Sequence, residues 1–240
     1  MNRYGTLLTL AASIGGGSTT ASAQTLDYAV YLDGDRIGET VVTAAASTAA
    51  PDAVELLTRT SIRVESWGFT VFSLEFEEFL LVGPVGLLEY RSRAEIDGVT
   101  PHGHAHRQDG AMQVRLVAAD GDTASVVHPL SAFDFTSQEV PDLTGWAAGT
   151  TETYRVLDLE SGTIREHRYT LIDEEDRQVG DMAIPCWVVR VEHDSGPTRV
   201  WLARDGFGTL VREEGRDDDG AYVMQLTGYR AEAGAAGAVR

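Results

Sequence analysis

The main pattern in this chain is a two-residue alternation of apolar and polar positions. Phe72, Leu74 and Phe76 would share one face of a strand, because the residues between them are polar. Similar alternation or short apolar runs recur at residues 28–32, 88–96, 112–116, 187–191, 200–202, 210–212 and 222–226. These segments predict half-buried β-strands that turn one face toward a core.

Six Asp-Gly dipeptides punctuate these segments, at Asp33, Asp97, Asp109, Asp120, Asp205 and Asp219. A two-residue type I′ hairpin turn needs positive φ at both central residues, which Gly adopts freely and Asp tolerates. The sequence therefore predicts an all-β fold. We expect a strongly curved antiparallel meander, a half-barrel or open barrel, with at most one or two short helices.

Three segments lack this alternation. Residues 1–23 combine Arg3, an apolar stretch and Ala21-Ser22-Ala23, the layout of a secretory signal peptide cleaved before Gln24, although a disordered N-terminal arm is an alternative. Residues 128–149 are predicted to cross between two halves of one sheet, with one short helix around 131–139. Residues 231–240, almost all Ala and Gly, are predicted to be a disordered tail. We expect one β domain over residues 24–230, and we expect the protein to be periplasmic or secreted.

Charge and composition narrow the range of partners. The formal net charge is −18, from 19 Arg and 37 acidic residues, and the chain has no Lys. Such a surface repels nucleic-acid phosphates and anionic lipids, so we expect no nucleic-acid partner. The longest later apolar run, residues 79–88, is too short to span a bilayer as a helix, so no integral membrane segment is predicted. Cys186 is the single cysteine and is expected to be a buried core residue.

One segment suggests metal chemistry. His102, His104 and His106 alternate along a predicted strand, so their imidazoles would project from the same face. Zinc, copper and nickel accept imidazole nitrogen, and a third ligand could come from elsewhere. The alternative is a solvated strand whose histidines bind nothing.

The remaining residues suggest binding more than catalysis. The sequence has no nucleophile elbow, phosphate loop or dinucleotide fingerprint, and the acidic run 217–219 lacks EF-hand spacing. The concave face of a curved sheet could hold an apolar small molecule or an envelope protein, lined by Phe72, Phe76, Tyr90, Trp187 and Trp201. These aromatic residues could equally be the core. Three hypotheses result: a non-catalytic binding or chaperone-like module, a periplasmic metal-binding protein, and a hydrolase with an unrecognised site.

Residues 28–38, at the start of the predicted domain, and residues 199–206, 209–213 and 219–226 near its end carry a resemblance. They resemble the opening and final hairpins of secreted β-rich bacterial proteins of unknown function, in which a Trp strand precedes a turn and two further strands. The resemblance implies a curved antiparallel sheet, similar to the half-barrel of the lipoprotein-localisation carriers. It implies no activity and no catalytic residues, and His102, His104 and His106 are not part of it.

Overall fold

The computed structural model describes residues 23–66, 69–194, 196–205, 208–217 and 220–231, which are almost entirely β-structure. The strands are β1 (Gln24–Leu32), β2 (Asp35–Ala46), β3 (Val54–Ser66), β4 (Phe69–Gly83), β5 (Gly86–Ile96), β6 (His102–Gln108), β7 (Ala111–Val117), β8 (Thr123–Pro129), β9 (Phe135–Thr136), β10 (Thr151–Asp158), β11 (Thr163–Val179), β12 (Met182–His193), β13 (Gly196–Ala203), β14 (Leu210–Asp217) and β15 (Gly220–Ala231). A single 3-10 turn, Leu130–Ala132, is the helical element in these residues. The predicted signal peptide and tail lie outside them, apart from residues 23 and 231.

All fifteen strands belong to one sheet. Its order is β8-β7-β6-β5-β4-β3-β2-β1-β15-β14-β13-β12-β11-β10-β9. Strands β1 to β8 form one meander and β15 back to β10 another, and the antiparallel pairing of β1 with β15 joins them. The sheet is not closed, because β8 and β9 are its two edges. The predicted all-β, curved antiparallel meander is confirmed, with a parallel β9–β10 pair as its one irregular end.

Three of the Asp-Gly turns have the predicted conformation. Both φ angles are positive at Asp33-Gly34 (49° and 93°), Asp97-Gly98 (50° and 84°) and Asp109-Gly110 (52° and 77°). Asp120-Gly121 also connects two strands, but only Gly121 has positive φ and the loop is closed by Ala118 N–H bonding to the Asp122 carbonyl. The type I′ prediction is therefore wrong there. Gly206 and Asp219, in the last two dipeptides, lie outside the described residues.

Gly110→Val is expected to lower the free energy of unfolding by about 1–3 kcal/mol, because a β-branched residue is strained at positive φ. Space is not the problem, since an added Cβ would meet nothing within 4 Å. Gly110→Asn is the control, because Asn tolerates the left-handed region. Urea unfolding of the three proteins measures the effect, and equal stability of the Val variant would contradict the turn conformation.

The core consists of two clusters of buried hydrophobic side chains. The first includes Phe72, Leu74 and Phe76, whose predicted alternation is confirmed by their burial. The second contains residues from both ends of the sheet: Leu80 and Tyr90 of the first meander pack with Leu157 of β10. Side-chain packing therefore joins the two ends of the sheet, although no ladder of hydrogen bonds closes it.

The segment after β8 crosses from one sheet edge to the other. Of the helix predicted around residues 131–139, only the 3-10 turn Leu130–Ala132 is present, and Phe135–Thr136 forms β9. Backbone bonds from Asp134 N–H to the Arg155 carbonyl and from Ser137 N–H to the Leu157 carbonyl flank this pairing. The backbone groups that a helix would have used internally are bonded to β10.

Candidate functional site

The three histidines lie on the outer face of β6, opposite to the core. The buried positions of this strand are Gly103 and Ala105, so the alternation predicted for His102, His104 and His106 is observed. The His104 and His106 rings stack with centroids 5.2 Å apart, and His104 Nε2 lies 3.4 Å from Glu89 Oε1.

Cationic neighbours flank the histidines. His104 lies directly opposite Arg91 on β5 and Arg115 on β7. Their positive charges oppose a bound cation. Within the described residues, no group of three or more His, Cys, Asp or Glu side chains is placed to hold a metal ion. The zinc, copper or nickel site stays a prediction from the sequence.

The five aromatic residues proposed to line a groove do not share one face. In the β12–β13 register Trp187 is opposite Leu202, whereas Trp201 is opposite Val188, so the two Trp side chains point to opposite faces. Trp201 is buried under flanking Arg side chains and its indole N–H donates to Glu175 Oε1 at 2.6 Å. A single aromatic wall of the predicted kind is therefore not formed.

The other aromatic residues are packed rather than open. Phe72, Phe76 and Tyr90 are 5%, 8% and 0% exposed, and each belongs to a hydrophobic cluster. Trp187 packs partly buried against the first cluster. The alternative prediction, that these residues form the core, therefore agrees with their packing.

A polar row crosses the inner face through the middle of the first meander. The strand registers align Thr58 of β3, Glu78 of β4, Ser92 of β5 and Gly103 of β6. Glu78 occupies an inward position of β4, between the buried residues Phe76 and Leu80. The row ends at Gly103, where neighbouring side chains fill the space of a side chain: an added Cβ would lie 2.9 Å from Ser92 Oγ and 3.3 Å from atoms of Leu116 and Tyr90.

Glu78 and Tyr90 are both buried without partners for their polar atoms. Their exposed fractions are 1% and 0%, and neither Glu78 carboxyl oxygen nor the Tyr90 hydroxyl makes a hydrogen bond. Ser92 lies near enough to lower the pKa of Tyr90 slightly, but it is not in hydrogen-bonding geometry. A buried polar group without a partner costs about 1–3 kcal/mol, so two neighbouring ones call for an explanation.

The β10–β11 turn packs across this part of the inner face. Leu159 is fully buried in the second cluster, and His128 Nε2 lies 2.9 Å from the Gly162 carbonyl oxygen. An added Cβ on Gly162 would touch Val126 and Leu116, and Leu116 also packs beside Gly103. Glu160 therefore lies in a turn that is held over the polar row.

The Glu160 carboxylate is in electrostatic range of both orphaned groups. Burial and, second, Glu160 raise the pKa of Glu78 well above its ordinary value. Burial, then Glu78 and Glu160, raise the pKa of Tyr90 well above its ordinary value. We call the set Glu78, Tyr90, Ser92, Gly103 and Glu160 the inner polar site.

Glu160 lies on the solvent-facing side of the inner polar site, since it is exposed by surface area. Desolvation by the surrounding protein, then repulsion by Asp158, raises its pKa to about 7. Protein atoms therefore crowd this carboxyl group although solvent touches it. Asp158 itself is bonded within the turn, accepting from Ser161 Oγ at 2.7 Å and from Glu160 N–H at 2.9 Å.

Sequence reasoning missed the inner polar site. The one available signal is the pair Glu77-Glu78: in a strand with the alternation Phe72, Leu74 and Phe76, the second of two adjacent Glu residues must face inward. The contribution of Glu160 has no such signal, because it depends on how a turn packs near β4 and β5, which lie more than sixty residues earlier in the chain.

A separate surface pocket of about 160 Å³ lies near the β4–β5 turn, and Arg107 and Glu139 are among its lining residues. Its polar groups are already bonded. Arg107 donates to the Val85 carbonyl at 2.8 Å, and Glu139 accepts from the Leu87 and Thr136 N–H groups. This pocket therefore offers fewer unpartnered polar groups than the inner polar site.

Two other titratable clusters lie among buried strands. Glu213 is 8% exposed and accepts from the Tyr222 hydroxyl at 2.9 Å, and burial raises its pKa to about 7. Burial, then His193, lowers the pKa of His167 to about 4, and these two rings lie 5.4 Å apart. Both imidazoles are therefore held neutral at pH 7.

Glu213→Gln is expected to flatten the pH dependence of stability. Because the folded pKa is raised, folded Glu213 keeps a proton that the unfolded chain releases between about pH 4.5 and pH 7. Wild-type stability relative to the variant should fall by up to about 3 kcal/mol as pH rises through this window. Urea unfolding at unit intervals from pH 4 to pH 8 measures the difference, and parallel curves would contradict the raised pKa.

The fold and the inner polar site together define a barrel-like, all-β protein built on one open antiparallel sheet. No protein-family model and no curated protein matches the chain. Among solved structures it is similar to a β-barrel-like protein of the domain of unknown function DUF1849 from Brucella abortus. That likeness has a TM-score of 0.64 at 13% identity and covers 90% of this chain and 100% of the other. It concerns the fold alone.

Two other solved structures are more distant. A protein inferred to be exported, with a YmcC-like fold, from Bacteroides fragilis has a TM-score of 0.38 at 12% identity, covering 91% of this chain and 99% of its own. A protein inferred to be a lipoprotein from Parabacteroides distasonis has a TM-score of 0.35 at 9% identity, covering 88% and 96%. No conclusion about this chain is drawn from either.

Proposed function

We propose that this protein is an exported, non-catalytic binding protein of the bacterial envelope whose inner polar site holds a small ligand. The observation that carries the proposal is the pair of buried, unpartnered groups on Glu78 and Tyr90. A ligand would supply the missing hydrogen-bond partners. The proposed site is therefore the inner polar site rather than an apolar groove along the aromatic residues.

Export is supported by the signal-peptide pattern of residues 1–23. Among the described residues, no helix has the length and apolarity to cross a membrane. Intact-mass measurement of the protein recovered from a Gram-negative host tests this part of the proposal. A mass beginning at Gln24 supports export, whereas retention of residues 1–23 would contradict it.

A hydrolase is the second candidate, because acid–base hydrolysis uses two neighbouring carboxyl groups. Such an enzyme keeps one carboxyl group protonated and the other ionised at working pH. Here burial raises the pKa of both Glu78 and Glu160, and none of the groups that shift them is basic. The electrostatics of the two carboxyl groups therefore favour binding over catalysis.

Ligand binding is tested with a panel of small cations, neutral molecules and anions, by measuring Tm of the wild type and of Glu78→Gln. The matched control is Glu77→Gln, since Glu77 is the adjacent residue on the outer face, 56% exposed and paired with Arg59 at 2.9 Å. A probe that raises Tm in the wild type and in Glu77→Gln, but not in Glu78→Gln, supports the proposal. If no probe of any class acts in this way, the inner polar site is not a ligand site.

A further inference from the structure

We infer that the surface pocket beside the β4–β5 turn is a second ligand site, and that it takes a small α-amino acid with an apolar side chain. We call it the turn pocket. It shares no lining residue with the inner polar site, so it is a separate site whose occupancy does not depend on the proposed function. Three of its properties carry this assignment: its volume, its apolar floor and its two unpaired charges.

The turn pocket has room for a small apolar group. Its volume is about 160 Å³. A cavity of about 150 Å³ lined by apolar side chains holds a benzene ring, so this space is enough for a branched side chain of about four carbon atoms. The turn pocket therefore suits the side chain of leucine or valine and is too small for a long acyl chain.

The floor of the turn pocket is apolar. Leu87, Met112 and Phe133 line it and are 3%, 1% and 8% exposed. All three belong to the second core cluster, so the pocket ends against packed side chains. A ligand side chain that reaches this floor would leave water for an apolar surface, which favours binding.

Two charged lining residues have no partner of opposite charge. Arg107, on β6, and Glu139, in the segment after β9, are both half-buried and line the turn pocket. Among the described residues neither forms an ion pair, with the other or with a third residue. The remaining charged lining residue, Asp134, is paired with Arg155 at 2.8 Å. The turn pocket therefore has one uncompensated positive group and one uncompensated negative group.

Hydrogen bonds to the backbone hold both groups in place without neutralising them. Arg107 donates one of its five N–H groups to the Val85 carbonyl oxygen at 2.8 Å. The Glu139 carboxylate accepts from Leu87 N–H at 3.3 Å and from Thr136 N–H at 2.9 Å. The register of β6 with β7 places Arg107 directly opposite Met112, so the positive group adjoins the apolar floor.

A ligand with a single charge suits only one of these groups. A carboxylate would pair with Arg107 but would be repelled by Glu139, and an amine would be attracted and repelled in the opposite sense. An α-amino acid carries both charges on one carbon atom. Its carboxylate can accept from Arg107, its ammonium group can donate to Glu139, and its side chain can reach the apolar floor.

The experiment uses the purified full chain and four probes: L-leucine, glycine, 4-methylpentanoate, which lacks the ammonium group, and 3-methylbutylamine, which lacks the carboxylate. Calorimetric titration at pH 7 measures the dissociation constants. We expect L-leucine to bind best. Glycine should bind roughly 100-fold more weakly because it leaves the apolar floor empty, and each singly charged analogue should bind about 10-fold more weakly or worse.

Two variants test the turn pocket itself. Arg107→Gln should weaken L-leucine about 10-fold or more and leave 3-methylbutylamine unchanged, since that amine has no carboxylate. Leu130→Trp places a larger side chain in the wall and should abolish binding of every probe. The matched control is Arg115→Gln, because Arg115 is exposed on the neighbouring strand β7, opposite His104 on the outer face. Urea unfolding confirms that each variant is folded.

The outcomes separate the turn pocket from the inner polar site. Binding of L-leucine that Arg107→Gln weakens and that shifts the amide resonances of Leu87 and Thr136 supports the assignment. Equal binding of L-leucine and either singly charged analogue overturns the amino acid as the ligand. No binding, or binding that survives both Arg107→Gln and Leu130→Trp, overturns the site. Loss of binding in Glu78→Gln alone would overturn it as well, and would place the ligand in the inner polar site.

Discussion

Glu78→Leu is expected to stabilise the protein while abolishing ligand binding. The substitution replaces a buried carboxyl group without partners by an apolar side chain, next to Phe76 and Leu80. Removing the desolvation cost should raise the free energy of unfolding by about 1–3 kcal/mol. For a domain of this size the melting temperature should rise by roughly 2–12 °C. Thermal and urea unfolding at pH 7 measure it.

The matched control is Glu213→Leu, a second buried glutamate whose carboxyl group has a partner. Its substitution removes the acceptor of the Tyr222 hydroxyl, 2.9 Å away, so we expect destabilisation. If Glu78→Leu raises the free energy of unfolding and Glu213→Leu lowers it, Glu78 is a residue that lowers the stability of the fold, as is common for functional groups. A loss of stability in Glu78→Leu would mean that the carboxyl group already has a structural partner.

Gly38→Ala is expected to be among the most destabilising single substitutions in the sheet. An added Cβ would lie 2.2 Å from the Ser61 carbonyl oxygen and 2.9 Å from the Ile62 Cα. Both atoms belong to the backbone of β3, so the strand itself would have to move. We expect a loss of about 3 kcal/mol or more, or failure to fold.

Gly228→Ala is the control, because it is also a glycine within a strand. Its added Cβ would meet the Asp27 carboxylate at 3.0 Å, and that side chain can rotate away. The expected loss is below about 1 kcal/mol. Similar stability of the two variants, measured by urea unfolding, would show that β2 and β3 do not approach as closely as described.

The strands and most turns were predictable because their signals are local. Alternation in β4 follows from the strand period of two, and positive φ at Asp109-Gly110 follows from what those two residues tolerate. The two failures have different origins. Asp120 belongs to a longer loop, and the predicted helix around 131–139 gave way to bonds with β10, a partner that local sequence does not reveal.

The candidate site was less predictable than the fold. The spacing of the histidines predicts their alternation, which is observed. The arginines that flank them lie on β5 and β7, so their positions depend on the register of three strands. The predicted aromatic groove rested on residue type alone. Its division between two faces depends on the register of β12 with β13.

By itself, the sequence determined that the protein is an acidic, all-β meander, because turn chemistry and side-chain alternation act over a few residues. Only the tertiary structure decided where its buried polar groups without hydrogen-bond partners lie. Glu78 and Glu160 are 82 positions apart in the chain, and they interact because the second core cluster brings the β10–β11 turn onto the first meander. A strand has a two-residue period that shows in its local sequence, whereas packing between segments far apart in the chain produces no such pattern.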